Sequence, residues 1–101
     1  MSEKVLIRRG SGNVFNDLGF GAGEAKNLEL RSRLMLAIGE WYQRSGLTQV
    51  AAAKQLGVTQ PRLNGALKGD IDACSLDWLV NVATAAGLPV RMTVGRSKRV
   101  A

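Results

Sequence analysis

The stretch Leu47-Thr48-Gln49-Val50-Ala51-Ala52-Ala53-Lys54-Gln55-Leu56-Gly57-Val58-Thr59-Gln60-Pro61-Arg62-Leu63-Asn64-Gly65-Ala66-Leu67-Lys68-Gly69 contains two short runs, each preceded by a threonine and followed by a glycine. Thr48 is placed to N-cap a helix over Gln49 to Leu56, and Gly57 to end it. Thr59 is placed to cap a second helix over Gln60 to Lys68, ended by Gly69. Pro61 is tolerated there because the first turn of a helix does not use its missing N–H. Ala53 is small enough for the two helices to cross closely. Gly57 can take a positive φ in the turn without a Cβ penalty. Leu56, Val58 and Leu63 are then predicted to fill the angle between the helices. Two short helices joined by a tight glycine turn form the helix-turn-helix pattern. The competing reading is an ordinary helical hairpin with the same packing.

Outward from this stretch the chain is equally well punctuated. A long periodic segment, Glu24 to Ser45, precedes it. Leu30, Leu34, Ile38 and Trp41 form one helical stripe, and Leu28, Met35 and Tyr42 a second line. Gly46 is placed as a left-handed stop. After it, Ser75 predicts an N-cap for a helix from Leu76 to Ala86, with Asp77 favoured in the first turn by the helix dipole. Gly87 ends that helix. Leu88-Pro89-Val90-Arg91-Met92-Thr93-Val94 alternates with period two and reads as a short edge strand. The organisation expected is an N-terminal arm and glycine-broken segment (1–23), a DNA-binding unit (24–87), and a C-terminal strand with a basic tail (88–101).

Composition narrows the function. The 101 residues carry 14 Lys+Arg against 8 Asp+Glu, a net charge of +6, with a pI near 10.3. That balance fits a polyanionic partner. The charge is also segregated, because residues 48–69 and 88–101 hold bases without acids while residues 70–87 hold acids without bases. No apolar run approaches the ~20 residues of a membrane span, and Met1 to Asn13 lacks the apolar core of a secretory signal. One cysteine, Cys74, cannot form an internal disulfide and fits a reducing cytosol. The absence of histidine removes the commonest general base and metal ligand. No catalytic residue, metal site or cofactor is expected, and the protein is read as a non-enzyme of the cytoplasm, associated with the nucleoid.

Helix geometry selects the residues that would meet DNA. Leu63, Ala66 and Leu67 cluster on one side of the second helix, with Pro61, Gly65 and Lys68 opposite, flanked by Arg62 and Asn64. Asn64 and Gln60 can bond adenine bidentately, and Arg62 or Lys68 can bond guanine or phosphate. Thr59 and Gln49, at helix N-termini, suit phosphate. The expected DNA-binding set is therefore Gln49, Thr59, Gln60, Arg62, Asn64 and Lys68. For Lys54, plain solvation is preferred to a phosphate contact.

The helix from Leu76 carries a core stripe (Leu76, Leu79, Val80, Ala83, Ala86) and a second apolar line (Trp78, Val82, Ala85). The strand 88–94 has unpaired edges. Both observations point to a two-fold dimer through Trp78, Val82, Val90, Met92 and Val94. Such a dimer would set two recognition helices about 34 Å apart, one DNA turn. The alternative pairs the strand with Val5 to Arg8 of the same chain.

Weaker signals read as structure. Gly19-Phe20-Gly21-Ala22-Gly23 lacks the spacing of a phosphate loop. Asp70 and Asp72 lack the further oxygen ligands a hard cation needs. Cys74 has no histidine to activate it and reads as a small buried apolar residue. Arg96-Ser97-Lys98-Arg99 is a solubilising end or a nonspecific phosphate arm.

Leu47-Thr48-Gln49, Ala52-Ala53, Leu56-Gly57-Val58, Gln60-Pro61-Arg62-Leu63, Gly69 and Ser75-Leu76-Asp77 together resemble the XRE-type, lambda-repressor-like regulators. With Ser11-Gly12-Asn13-Val14-Phe15 and Asp17-Leu18-Gly19, the chain resembles their short HigA-like antitoxin branch. The resemblance implies a mainly α, five-helix DNA-binding domain that dimerises and represses its own operon, here with the short C-terminal β-strand added. It places the recognition helix at Gln60 to Lys68. It also brings an alternative function, an antitoxin that neutralises a RelE-like ribonuclease toxin and uses DNA binding for feedback. The sequence departs from the branch at Ala51, where glutamate is usual, at Cys74, where an aromatic is usual, and at Trp78, where a basic residue is usual.

Overall fold

Hydroxyl caps and left-handed glycines set most of the helix boundaries. The computed structural model describes residues 18–95. It holds four α-helices: α1 (Ala22–Ser45), α2 (Gln49–Leu56), α3 (Gln60–Lys68) and α4 (Leu76–Ala85), with a 3₁₀ turn at Ile71–Ala73. Thr48 Oγ1 accepts from Ala51 N at 3.1 Å, Thr59 Oγ1 from Arg62 N at 3.3 Å, and Ser75 Oγ from Trp78 N at 3.1 Å. Each satisfies an N–H that the helix itself leaves unpaired. α2 and α3 run over the residues predicted for them, and Gly57 takes φ 74° between them. α1 begins two residues before the predicted Glu24, and α4 ends one residue before the predicted Ala86.

α1 packs against α3 and α4, and α2 against α3. The core they enclose contains Met35 and Ile38 from α1, Ala52, Ala53 and Leu56 from α2, Leu63 and Ala66 from α3, Cys74, and Leu79, Val82 and Ala83 from α4. Ala52 and Leu63 are fully buried, so the small residues of α2 do admit the close approach of α3. Among the described residues, no helix is long and apolar enough to cross a membrane.

Two expectations are corrected. The fold is mainly α, but the described residues form four α-helices and a 3₁₀ turn rather than five helices. The predicted C-terminal strand is absent, and residues 88–95 hold no regular structure. Period-two alternation yields a strand only where a neighbour satisfies its backbone groups. Pro89 removes one donor, and Leu88 N instead closes the end of α4 by donating to Ala83 O at 2.9 Å. The alternative partner, Val5 to Arg8, lies outside the described residues. Both apolar lines of α1 contribute to the core, Ile38 from one and Leu28 and Met35 from the other, and α4 buries Val82 of its second line alongside Leu79 and Ala83 of its predicted core stripe. Leu28 and Met35 are buried while Leu30 is 40% exposed, and Val82 is buried while Val80 is half-buried.

Candidate nucleic-acid interface

Helix α3 carries its core residues, Leu63 and Ala66, inward, which leaves Gln60, Pro61, Arg62 and Lys68 exposed and Asn64 and Gly65 half-buried. Pro61 and Gly65 present no long side chain, so the helix backbone can approach a surface closely there. Thr59 is exposed at the start of α3; its hydroxyl oxygen accepts from Arg62 N, and its O–H remains able to donate. Neither α2 nor α3 has an acidic residue in its first turn, whereas α1 has Glu24 and α4 has Asp77. The positive ends of the α2 and α3 dipoles are therefore not neutralised locally, and Lys54 and Lys68 add charge in their last turns.

The predicted DNA-binding residues differ in what they touch. Gln49 Nε2 donates to Asn64 Oδ1 in a long, 3.4 Å hydrogen bond that joins the start of α2 to the middle of α3. Asn64 therefore leans toward α2. Arg62 leans the other way, with its guanidinium carbon 4.5 Å from the centroid of the Trp78 ring on α4. Gln60 and Asn64, four residues apart, share one face of α3, while Arg62 is engaged on its α4 side. Gln60 and Thr59 lie at the exposed head of α3, and Lys68 at its exposed end.

Beside Arg62 an open recess is lined by Asn27, Arg31, Asp72, Cys74, Ser75 and Asp77, among others. Arg31 is committed to structure, because its Nη1 donates to the carbonyls of Ile71 at 2.9 Å and Cys74 at 3.2 Å. Cys74 is 2% exposed. Burial pushes its thiol up, and the Arg62 and Arg31 charges offset this in part, so the group is a poor nucleophile. The roles of Arg31 and of the Trp78 ring are not legible in the sequence. Each joins residues far apart in sequence on different elements, a relation that periodicity does not carry.

The residues expected at a dimer face differ in exposure. Val90, Met92 and Val94 are 41%, 82% and 84% exposed, but Val82 is 2% exposed within the monomer and offers no surface to a partner. Trp78 is half-buried beside Arg62.

A helix-turn-helix domain model matches residues 14–95. This chain belongs to that family. The helix-turn-helix protein is also similar to a solved structure assigned to the XRE family of transcriptional regulators, with a TM-score of 0.68 and 25% sequence identity. That match covers 77% of this chain and 90% of the other. No curated protein matches the chain. The pair α2 and α3, joined by the Gly57 turn, lies within the matched residues. Of the residues that carry the resemblance to the HigA-like branch, Ser11 to Phe15 and Asp17 lie outside the described residues, as does the basic run Arg96 to Arg99.

Proposed function

We propose that this helix-turn-helix protein is a sequence-specific transcriptional repressor of its own operon that lays α3 in the major groove of DNA as a dimer. The observation that carries the reading is the union of two features on α2 and α3. Both helices begin at hydroxyl caps with acid-free first turns, which favours phosphate at their N-termini, and α3 turns Gln60, Asn64 and Lys68 away from its buried face. Phosphates would be met by Thr59, Gln49 and Lys68, and base edges by Gln60 and Asn64. In this reading residues 24–87 are the DNA-binding unit, with 1–23 and 88–101 as flanking segments. The exposed Val90, Met92 and Val94 supply apolar surface for a second copy.

The test is binding of the full chain to a duplex from its own promoter and to an unrelated duplex of equal length, at several salt concentrations. Affinity for both is expected to fall linearly with the logarithm of salt, with the promoter duplex bound at least ~10³-fold more tightly. Replacing Gln60 and Asn64 together by Ala is expected to remove most of that preference while leaving the weaker binding in place. Equal affinity of the unsubstituted chain for the two duplexes would overturn sequence-specific recognition. A promoter reporter unaffected by the protein would overturn autorepression, and a solution mass of 10.8 kDa at micromolar concentration would overturn the dimer.

A further inference from the structure

We propose that Trp78 is a positioning residue for DNA recognition: its indole face holds the Arg62 guanidinium clear of neighbouring carboxylates, with the N–H donors available to an oxygen-rich acceptor on DNA. This rests on the DNA-binding reading above and goes beyond it, because Trp78 need not touch DNA itself.

The geometry makes the case in three steps. Arg62 lies over the Trp78 ring at 4.5 Å from the centroid, a distance at which the ring quadrupole attracts the cation. Asp72 and Asp77 line the same recess as Arg62, yet among the described residues Arg62 forms no ion pair with either. A guanidinium free in water beside two carboxylates would spend part of its time paired with them. With the guanidinium carbon over the ring and no hydrogen bond or ion pair from the Arg62 side chain among the described residues, N–H donors remain free for a further acceptor. The ring thus withdraws the side chain from competing partners without using the groups that recognition needs. It also narrows the rotamers of a long side chain, so less conformational entropy is lost on binding.

The acceptor is a pair of oxygen or nitrogen atoms that a planar fork can reach together. In DNA that chemistry comes from a backbone phosphate or from the O6/N7 edge of guanine. Arg62 stands on the α4 flank of α3, beside the Pro61, Gly65 and Lys68 row, and the two sources predict different losses.

The experiment measures promoter and unrelated duplex binding across salt for the full chain, Arg62→Ala, Trp78→Leu, Trp78→Tyr and the Arg62→Ala/Trp78→Leu double variant, each verified as folded by circular dichroism. Trp78→Leu is expected to weaken promoter binding roughly two- to five-fold, the value of an exposed cation–π contact. Trp78→Tyr, which keeps a π-face, is expected to restore most of that loss. The double variant is expected to bind no more weakly than Arg62→Ala alone, because Trp78 acts through Arg62. If the acceptor is phosphate, Arg62→Ala weakens both duplexes alike and lowers the salt slope by about one; if it is guanine, the loss is confined to the promoter duplex. Additive losses in the double variant, or full affinity in Trp78→Leu, would overturn the proposal while leaving the DNA-binding reading intact. Failure of the unsubstituted chain to bind either duplex would overturn both. If Trp78→Leu does not fold, the Trp41→Phe chain isolates the fluorescence of Trp78. There Arg62→Ala is expected to shift its emission, and an unchanged spectrum would overturn the stacking.

Discussion

Arg31 and Ile71, forty residues apart, are joined by a 2.9 Å hydrogen bond from Arg31 Nη1 to the Ile71 carbonyl. The same nitrogen donates to Cys74 O at 3.2 Å, and Nε donates to Asn27 Oδ1 at 2.7 Å. One side chain of α1 thereby ties down the start of the 3₁₀ turn between α3 and α4 and the residue that follows it. Arg31→Met keeps the aliphatic reach but leaves the two carbonyls without this donor. A loss of about 2 kcal/mol is expected, since hydrogen bonds to charged groups contribute ~1.5–3 kcal/mol and this one is partly solvated. Urea unfolding checks it, with a lowered midpoint at unchanged slope as the expected result. An unchanged midpoint would show that the segment is held by its own turn.

Thr59 stabilises the first turn of α3 through the bond from Arg62 N to its Oγ1. Thr59→Ala is expected to cost about 1 kcal/mol, with Thr59→Ser close to the original, because the loss belongs to the cap and not to the methyl group. Thermal unfolding separates the two. An Ala variant as stable as the parent would mean that water caps the helix equally well.

Gly57 is required by its backbone alone. Its φ is 74°, and a Cβ placed there would meet nothing within 4 Å. Gly57→Ala is therefore expected to destabilise by roughly 1–2 kcal/mol through left-handed strain, and Gly57→Asn by less, since asparagine tolerates that region. Equal stability of the Ala and Asn variants would contradict this account.

Glu29 introduces a pH dependence on the acid side. Its residue is 5% exposed, and it accepts from Lys26 Nζ at 2.9 Å and Arg33 Nη2 at 2.8 Å. Burial pushes its carboxyl up, but the hydrogen bond and charge of Lys26 and the charge of Arg33 outweigh it, leaving the group below its ordinary 4.5. A carboxyl lowered on folding contributes stability that is fully present above its unfolded value and is lost as pH falls through the folded one. Unfolding midpoints are expected to decline below the ordinary value of 4.5, and Glu29→Gln to flatten part of that decline. An identical acid profile for the Gln variant would assign the effect to other carboxyls.

What the sequence determined by itself was local. Thr48, Thr59 and Ser75 satisfy N–H groups within three residues, and Gly46, Gly57, Gly69 and Gly87 all adopt the positive φ that ends a helical turn. Such relations need no knowledge of the rest of the chain. For that reason α2 and α3, and with them the helix-turn-helix pattern of the candidate interface, are legible in the order of residues alone. The tertiary structure decided the rest. Amphipathic periodicity gives two apolar lines on each of α1 and α4, and packing across helices decides which members of each are covered, burying Leu28, Met35, Ile38, Leu79, Val82 and Ala83 and leaving Leu30 and Val80 less covered. Alternation at 88–94 suggested a strand, but a strand is a relation between two segments, and none pairs with it among the described residues. The contact of Arg62 with Trp78 and the bonds from Arg31 to the segment before α4 likewise depend on how the helices cross, which one-dimensional spacing does not encode.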